Sequence, residues 1–135
     1  MKKILFAASE AVPFMKTGGL ADVTGSLPKY FDKKNYDVRV ILPKYVCMEE
    51  RWKGQLHFLC HFYVNLSWRK QYVGIFETTY DGITYYLVDN EFYFAGNAPY
   101  NNIYEDVEKF AFFSKAVLEA LPYLDFCPDI IHCHD

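Results

Sequence analysis

The segment Lys16–Val23 constrains this chain more than any other feature, because two adjacent glycines follow a predicted strand and precede a stretch with helical character. The strand covers residues 3–8, so the glycines lie where a strand turns into a helix. Gly18 and Gly19 let the backbone bend sharply and approach a ligand closely. The unpaired amides that open the helix favour an anion, and Lys16 adds a positive charge. The segment predicts a phosphate or pyrophosphate site, although its spacing matches neither the Walker loop nor the spaced-glycine dinucleotide fingerprint.

Hydrophobic patterning predicts an α/β fold with a mostly parallel sheet and an antiparallel hairpin insert. Continuous apolar runs predict buried parallel strands, and Asp81-Gly82 between two aromatic-rich runs predicts a hairpin turn. The predicted strands cover residues 3–8, 37–42, 56–66, 71–80, 83–88 and a short final strand opened by Pro128-Asp129. Ligands bind beyond the carboxyl ends of such strands. We therefore expect the glycine segment and residues 132–135 on one rim of the sheet.

Two helices are predicted, over residues 21–31 and 104–121, and Pro28 either kinks the first helix or begins a separate turn. Each helix has an apolar stripe that is expected to face the core. The stripes comprise Leu20, Val23, Leu27, Tyr30 and Phe31 in the first helix, and Val107, Phe110, Ala111, Ser114, Val117, Leu118 and Leu121 in the second.

Composition predicts one ordered domain, because the 135 residues are 52% hydrophobic and 19% aromatic and contain no linker or repeat. The net charge of −3, with scattered Lys and Arg, argues against a nucleic-acid or anionic-membrane partner. The N-terminal apolar run is broken by Ser9 and Glu10, too early for a secretory leader, and no run approaches the roughly 20 residues that cross a membrane. A cytoplasmic protein is expected, with its four cysteines reduced and several of them buried.

Residues 9–23, which read Ser-Glu-x-x-Pro-x-x-Lys-Thr-Gly-Gly-Leu-Ala-Asp-Val, resemble the N-terminal signature of bacterial glycogen synthases and plant starch synthases. Three later segments, residues 37–43, 97–100 and 128–135, resemble that family in the same order. The resemblance extends from Met1 to Asp135. It implies the truncated N-terminal Rossmann-like domain of a two-domain GT-B glycosyltransferase that depends on ADP-glucose.

The resemblance implies transfer of glucose from ADP-glucose to the non-reducing end of an α-1,4-glucan, with retention at the anomeric carbon and without a cofactor or metal. These synthases are several times longer, so the resemblance also implies that residues 1–135 lack the C-terminal nucleotide-binding domain. We therefore expect the isolated fragment to be inactive and to self-associate through exposed apolar surface. Two alternatives stay open: a non-catalytic sugar- or anion-binding module, and another sugar-nucleotide transferase that uses UDP-glucose.

The leading site residues are Lys16, Gly18 and Gly19, which are expected to contact the phosphates or sugar of an activated donor. Asp22 is expected either to accept a helix-terminal amide or, as the resemblance implies, to lie at the sugar cleft. Tyr100 is either a loop tyrosine packed on the surface or, by the same resemblance, a ring that lines the sugar cleft.

Further candidates lie at both ends of the chain. Glu10 is expected to contact the acceptor glucan or to form a structural salt bridge. The resemblance places Asp135 near the sugars and leaves the catalytic residues unidentified. His132 and His134 share a face of a predicted strand and, with Asp135, superficially resemble a zinc site. Zinc needs three or four converging ligands, so we expect no metal there.

Overall fold

The apolar run near the N-terminus forms the first strand of the computed structural model, which describes residues 1–134. Ile4, Leu5 and Phe6 are all buried, so both faces of this strand are covered. The strands are β1 (Lys2–Ala7), β2 (Tyr36–Pro43), β3 (His57–Leu66), β4 (Arg69–Tyr80), β5 (Ile83–Asp89) and β6 (Ile130–Cys133). The helices are α1 (Gly19–Ser26), α2 (Glu50–Lys53) and α3 (Ile103–Ala120). The four-residue helix α2 is the one element of these that the sequence did not predict.

The strands form one mixed sheet in the order β3-β4-β5-β2-β1-β6. Strand β1 pairs in parallel with β2 and β6, and β2 pairs in parallel with β5. The insert is antiparallel, since β4 pairs with both β3 and β5. Asp81 and Gly82, with φ angles of 52° and 79°, make the turn that their sequence predicts. These pairings confirm the predicted α/β fold.

Helix α1 ends sooner than predicted, and Pro28 lies in the first turn of a separate 3₁₀ helix over Leu27–Tyr30. Of the two expectations for this proline, the separate turn is therefore the one that the structure has. The predicted apolar stripe is wrong, because Val23, Leu27 and Tyr30 are exposed. The small residues Ala21, Thr24 and Gly25 are buried instead. The reason is close packing on Val12: a Cβ at Gly25 would lie 2.3 Å from Val12 Cγ2. Only small side chains fit on that face.

Helix α3 was predicted with nearly correct bounds, but its buried face was predicted only in part: Val117 is buried, and Phe110 and Leu121 are partly buried against the core. Val107 and Leu118 are 65% and 59% exposed, whereas Phe112, Ala116 and Ala120 are fully buried against the sheet. The helix is apolar on two sides, so spacing alone does not say which side meets the sheet. The second apolar side lines a groove that is described with the site.

The parallel strands bring their carboxyl ends to one rim, as the sequence predicts. Ala7 at the end of β1 pairs with Cys133 at the end of β6, and the His134 amide donates to the Ala7 carbonyl at 2.9 Å. Strand β5, which is parallel to β1 on the other side of β2, ends at the same rim at Asp89 and leads into the loop that carries Tyr100. Three loops of different sequence position therefore converge on this rim.

The cysteines differ in part from expectation. All four are free thiols, but Cys47 and Cys60 are only partly buried, and Cys127 and Cys133 are exposed. The expectation that several are buried is wrong, because the short strand β6 lies at an edge of the sheet and leaves Cys133 open. Within residues 1–134, none of the helices has the length and hydropathy to cross a membrane.

Candidate functional site

The carboxylate of Glu10 joins two loops at the rim of the sheet. Its Oε2 atom accepts hydrogen bonds from the Thr17 hydroxyl at 2.5 Å and the Tyr100 hydroxyl at 3.0 Å. Its Oε1 atom accepts from the amides of Gly18 at 3.1 Å and Ala21 at 3.3 Å. One buried side chain thus fixes the glycine loop, the start of α1 and the Tyr100 loop to one another.

Glu10 is only 1% exposed, so in this structure its carboxylate organises the rim from inside. The salt bridge considered for it is not formed among residues 1–134. Burial alone would raise the pKa of this carboxyl, but hydrogen bonds from Thr17, Tyr100 and the Gly18 amide outweigh it and hold the pKa below its ordinary value. A direct contact with a glucan stays a prediction.

The start of helix α1 is only partly available to an external anion. Four amides open a helix without an intrahelical acceptor, here those of residues 18–21, and Glu10 occupies the amides of Gly18 and Ala21. The amides of Gly19 and Leu20 have no acceptor in the part of the chain that the structure describes. The sequence predicted that all the amides opening the helix would be unpaired, but the Glu10 carboxylate accepts from two of the four.

The space in front of the two glycines is open. A Cβ built on Gly18 or Gly19 meets no atom of the protein within 4 Å. Gly18 is extended, with φ and ψ both at −163°, a backbone conformation that other residues also adopt. The fold therefore does not require glycine at these positions, and the open backbone there is accessible to close approach by a ligand.

Lys16 and Asp22 form an ion pair at the outer side of the glycine loop. Their closest N–O distance is 2.9 Å, and both side chains are 54% exposed. Asp22 therefore contacts the predicted cation, and Glu10 takes the helix amides that one expectation gave to Asp22. An exposed pair of this kind is weak and readily exchanges partners, so the Lys16 ammonium is accessible to a competing anion.

Tyr100 lies at the junction of the rim and a neighbouring groove. Besides Glu10, its hydroxyl contacts the Ser9 hydroxyl at 2.5 Å, and its ring is tilted against Phe110 with centroids 5.8 Å apart. Burial raises the pKa of Tyr100, and the hydrogen bond to the Glu10 carboxylate also raises it. The residue remains 40% exposed, so part of it is accessible to a ligand.

The groove beside Tyr100 has a volume of about 640 Å³ and lies between α3 and β6. Its walls are mostly apolar, and its polar lining comes from Ser9, Ser114, Tyr100 and His134. From the predicted stripe of α3, the groove is lined by the partly buried Phe110, the buried Val117 and the exposed Leu118. The groove thus explains where the second apolar side of that helix faces.

His132 in β6 and His134 directly after β6 pack on Phe6 of the core. Their rings lie 4.6 Å apart by centroid, and each contacts Phe6 at 4.9 Å or 5.0 Å. Burial lowers the pKa of His134, and the neighbouring His132 lowers it further. Among residues 1–134, no three His, Cys, Asp or Glu side chains are placed to hold a metal ion. Asp135, the remaining candidate, lies outside the described residues.

Several residues that build the site were not singled out from the sequence. Thr17 and Ser9 bind Glu10 and Tyr100 directly, and the Thr24 hydroxyl donates to the Glu10 carbonyl at 2.6 Å. Tyr45, which is buried, donates to the Ser9 carbonyl at 2.7 Å. Ser9 and Thr17 lie within the motif of residues 9–23, which could have indicated their role. No feature of the sequence indicated a role for Thr24 or Tyr45.

The sequence model of the family described as the starch synthase catalytic domain matches residues 3–135. A glycogen synthase of Lachnoclostridium phytofermentans is 68% identical over 135 residues, which is 100% of this chain and 28% of that protein. A glycogen synthase of Lachnospira eligens is 63% identical over 135 residues and is covered to the same extents, 100% and 28%.

Among solved structures, the catalytic domain of starch synthase IV from Arabidopsis thaliana, bound to ADP and acarbose, matches with a TM-score of 0.85 and 30% identity. The match covers 99% of this chain and 28% of that chain. The chain therefore spans 28% of the length of these relatives. Because the family's sequence model matches it from residue 3 to residue 135, the chain belongs to the starch synthase catalytic domain family.

Proposed function

We propose that this chain is the N-terminal part of a retaining glucosyltransferase, which moves glucose from ADP-glucose to the non-reducing end of an α-1,4-glucan. The observation that carries the proposal is the 68% identity to a glycogen synthase over all 135 residues. The rim adds a physical reason. An accessible ammonium at Lys16, two amides without an internal acceptor and an open space before Gly18 and Gly19 suit a diphosphate.

The proposed division of labour follows from the charges on the rim. The bond between the anomeric carbon and the diphosphate breaks, the bond to the terminal glucan oxygen forms, and the hydroxyl proton passes to the departing diphosphate. Negative charge grows on the departing diphosphate, where Lys16 and the amides of Gly19 and Leu20 would stabilise it. The exposed part of Tyr100 would pack against a sugar, and Asp22 would release Lys16 to the donor.

The remaining parts of the proposal concern the whole protein. We propose that a second, nucleotide-binding domain closes over this rim and excludes water, as in two-domain transferases. The enzyme would be cytoplasmic, would bind neither nucleic acid nor membranes, and would need no metal or organic cofactor.

Residues 1–135 alone would be inactive and would self-associate through the apolar surface of α3 and β6. Sedimentation of the 135-residue chain over a range of concentrations tests that association.

An isotope-transfer assay tests the activity. The full-length enzyme that contains this chain is given ADP-glucose or UDP-glucose, each labelled in the sugar, together with glycogen. We expect label in the polymer with ADP-glucose, at least about tenfold less with UDP-glucose, and none with residues 1–135 alone. Equal or better transfer from UDP-glucose would favour another sugar-nucleotide transferase. Glycogen binding without any transfer by the full-length protein would favour a non-catalytic module.

A further inference from the structure

Lys109 is a buried charge in helix α3 that the proposed reaction does not use. Its side chain is almost fully buried, and the residue is 3% exposed. Burying an ammonium is costly unless hydrogen bonds and an opposite charge compensate for its lost hydration. The contacts that compensate here therefore show what the lysine is placed to hold.

The contacts of Lys109 lead to the loop that carries Tyr100. The Lys109 ammonium donates to the Pro99 carbonyl and to Asn101 Oδ1, both at 2.7 Å, and lies 3.3 Å from Asp106 Oδ1. An ammonium has three donors, of which the Pro99 carbonyl and Asn101 Oδ1 take two, and the Asp106 carboxylate supplies the opposite charge. Pro99 and Asn101 directly precede and follow Tyr100 in the chain.

A second set of hydrogen bonds fixes the same loop. The Asn101 amide donates to both carboxylate oxygens of Asp106 at 3.1 Å, so Asp106 keeps a partner even without the lysine. Residues 97–102 form no helix or strand, so the loop has no regular backbone ladder of its own. The polar contacts with the first turns of α3 set its position.

We propose that Lys109 is a positioning residue for sugar transfer, which acts by fixing the Pro99–Asn101 loop so that the Tyr100 hydroxyl meets Glu10 and Ser9. This inference rests on the proposed function, in which Tyr100 lines the sugar cleft. The path is continuous: the ammonium holds the loop on both sides of Tyr100, and Tyr100 contacts the carboxylate that also holds the glycine loop. Lys109 contacts none of the proposed substrate-binding groups itself.

A spectroscopic test on the 135-residue chain is independent of catalysis. Tyrosines are labelled at the ring carbon that bears the hydroxyl, and the Tyr100 signal is assigned by its loss in Tyr100→Phe. We expect this signal to move in Lys109→Met, and also in Asn101→Ala, which removes one acceptor without touching the helix interior. The matched control is Lys115→Met, since Lys115 lies on the same helix but donates to the Asn65 carbonyl. An unchanged Tyr100 signal in both Lys109→Met and Asn101→Ala would overturn the proposal.

A kinetic double-mutant cycle in the full-length enzyme tests the link to transfer. We expect Lys109→Met to lower kcat/KM about tenfold, and the double variant with Tyr100→Phe to be no worse than Tyr100→Phe alone. Losses that multiply would mean that Lys109 acts elsewhere and would contradict the proposal. If the Tyr100 signal moves as expected but the wild-type enzyme transfers no glucose, the proposed function fails and the contact between Lys109 and the loop stands.

Discussion

Two loops meet at the rim, and each depends on a lysine that is used in the opposite way. Lys16 on the glycine loop is about half exposed and has one exposed ion-pair partner. Lys109 beneath the Tyr100 loop is buried, donates to two oxygen atoms and lies beside the Asp106 carboxylate. A buried charge that is already paired and hydrogen-bonded holds structure, whereas an exposed charge with one weak partner is available to a ligand. The glycine loop is therefore the side of the rim that we expect to bind.

The glycines at the start and near the end of helix α1 show the same contrast between a residue that holds structure and a residue that is free to bind. Gly25 faces Val12 so closely that a Cβ would lie 2.7 Å from its carbonyl oxygen. Gly18 and Gly19 face open space. Gly25 is thus required by the fold, and the other two are available to function.

The largest expected effect comes from removing the carboxylate that joins the loops. Glu10→Ala leaves four donors, those of Thr17, Gly18, Ala21 and Tyr100, without the buried carboxylate that accepts from them. We expect the free energy of unfolding of the 135-residue chain to fall by about 3 kcal/mol in urea titrations. The exposed Glu119→Ala is the control and should change it by less than about 0.5 kcal/mol. Equal effects of the two substitutions would mean that Glu10 does not hold the rim together.

The glycine contrast predicts the next largest effect. Gly25→Ala forces helix α1 away from Val12, and we expect it to lower the free energy of unfolding by about 2 kcal/mol. Gly19→Ala has the same chemical change in open space and should alter it by less than about 0.5 kcal/mol in either direction. Comparable destabilisation by both substitutions would contradict the claim that the fold requires glycine at position 25 but not at position 19.

The pH dependence of stability offers a smaller but directional effect. Hydrogen bonds hold the pKa of Glu10 below its unfolded value of about 4.3. The ionised carboxylate therefore stabilises the fold above that pH, and the stabilisation is lost as the pH falls through the lower folded-state pKa. We expect the stability difference between the wild type and Glu10→Gln to shrink between pH 6 and pH 3, roughly the range set by these values. Burial raises the pKa of Asp89, but this group is present in both proteins and cancels. A difference that grows on acidification would contradict the assignment.

The smallest stability effect is expected at the exposed ion pair. Lys16→Met removes one partner of a pair in which both side chains are half exposed. Such pairs contribute little, so the free energy of unfolding should change by no more than about 0.5 kcal/mol. A loss of about 2 kcal/mol, equal to that expected for Gly25→Ala, would show that Lys16 is structural and not reserved for a ligand.

Much of the fold was predictable because local signals agreed with the final structure. The buried run of β1 and the Asp81-Gly82 turn specify their elements without help from distant residues. The orientation of α1 was not predictable, since the close contact between Gly25 and Val12 depends on how the loop between them folds back on the helix. For α3, apolar residues on both sides made the choice of face a matter of tertiary packing.

The position of the candidate site was predictable from the sequence, but the hydrogen bonds within it were not. The sequence placed a cation and two glycines at the end of β1, where the structure has them. It did not indicate that Glu10 would occupy two of the helix amides, because that requires a tight turn of the intervening loop. Lys109 gave no signal at all, since a lysine in an amphipathic helix is ordinarily solvated.

The most direct measurement compares donor use by Lys16→Met and Lys34→Met in the full-length enzyme. Lys34 is an exposed lysine in the segment that precedes β2, at the opposite end of the sheet from the rim. We expect Lys16→Met to lower kcat/KM for ADP-glucose about 100-fold at an unchanged melting temperature, and Lys34→Met to leave both unchanged. Equal kcat/KM values for wild type, Lys16→Met and Lys34→Met would contradict the claim that this rim holds the diphosphate of an activated glucose.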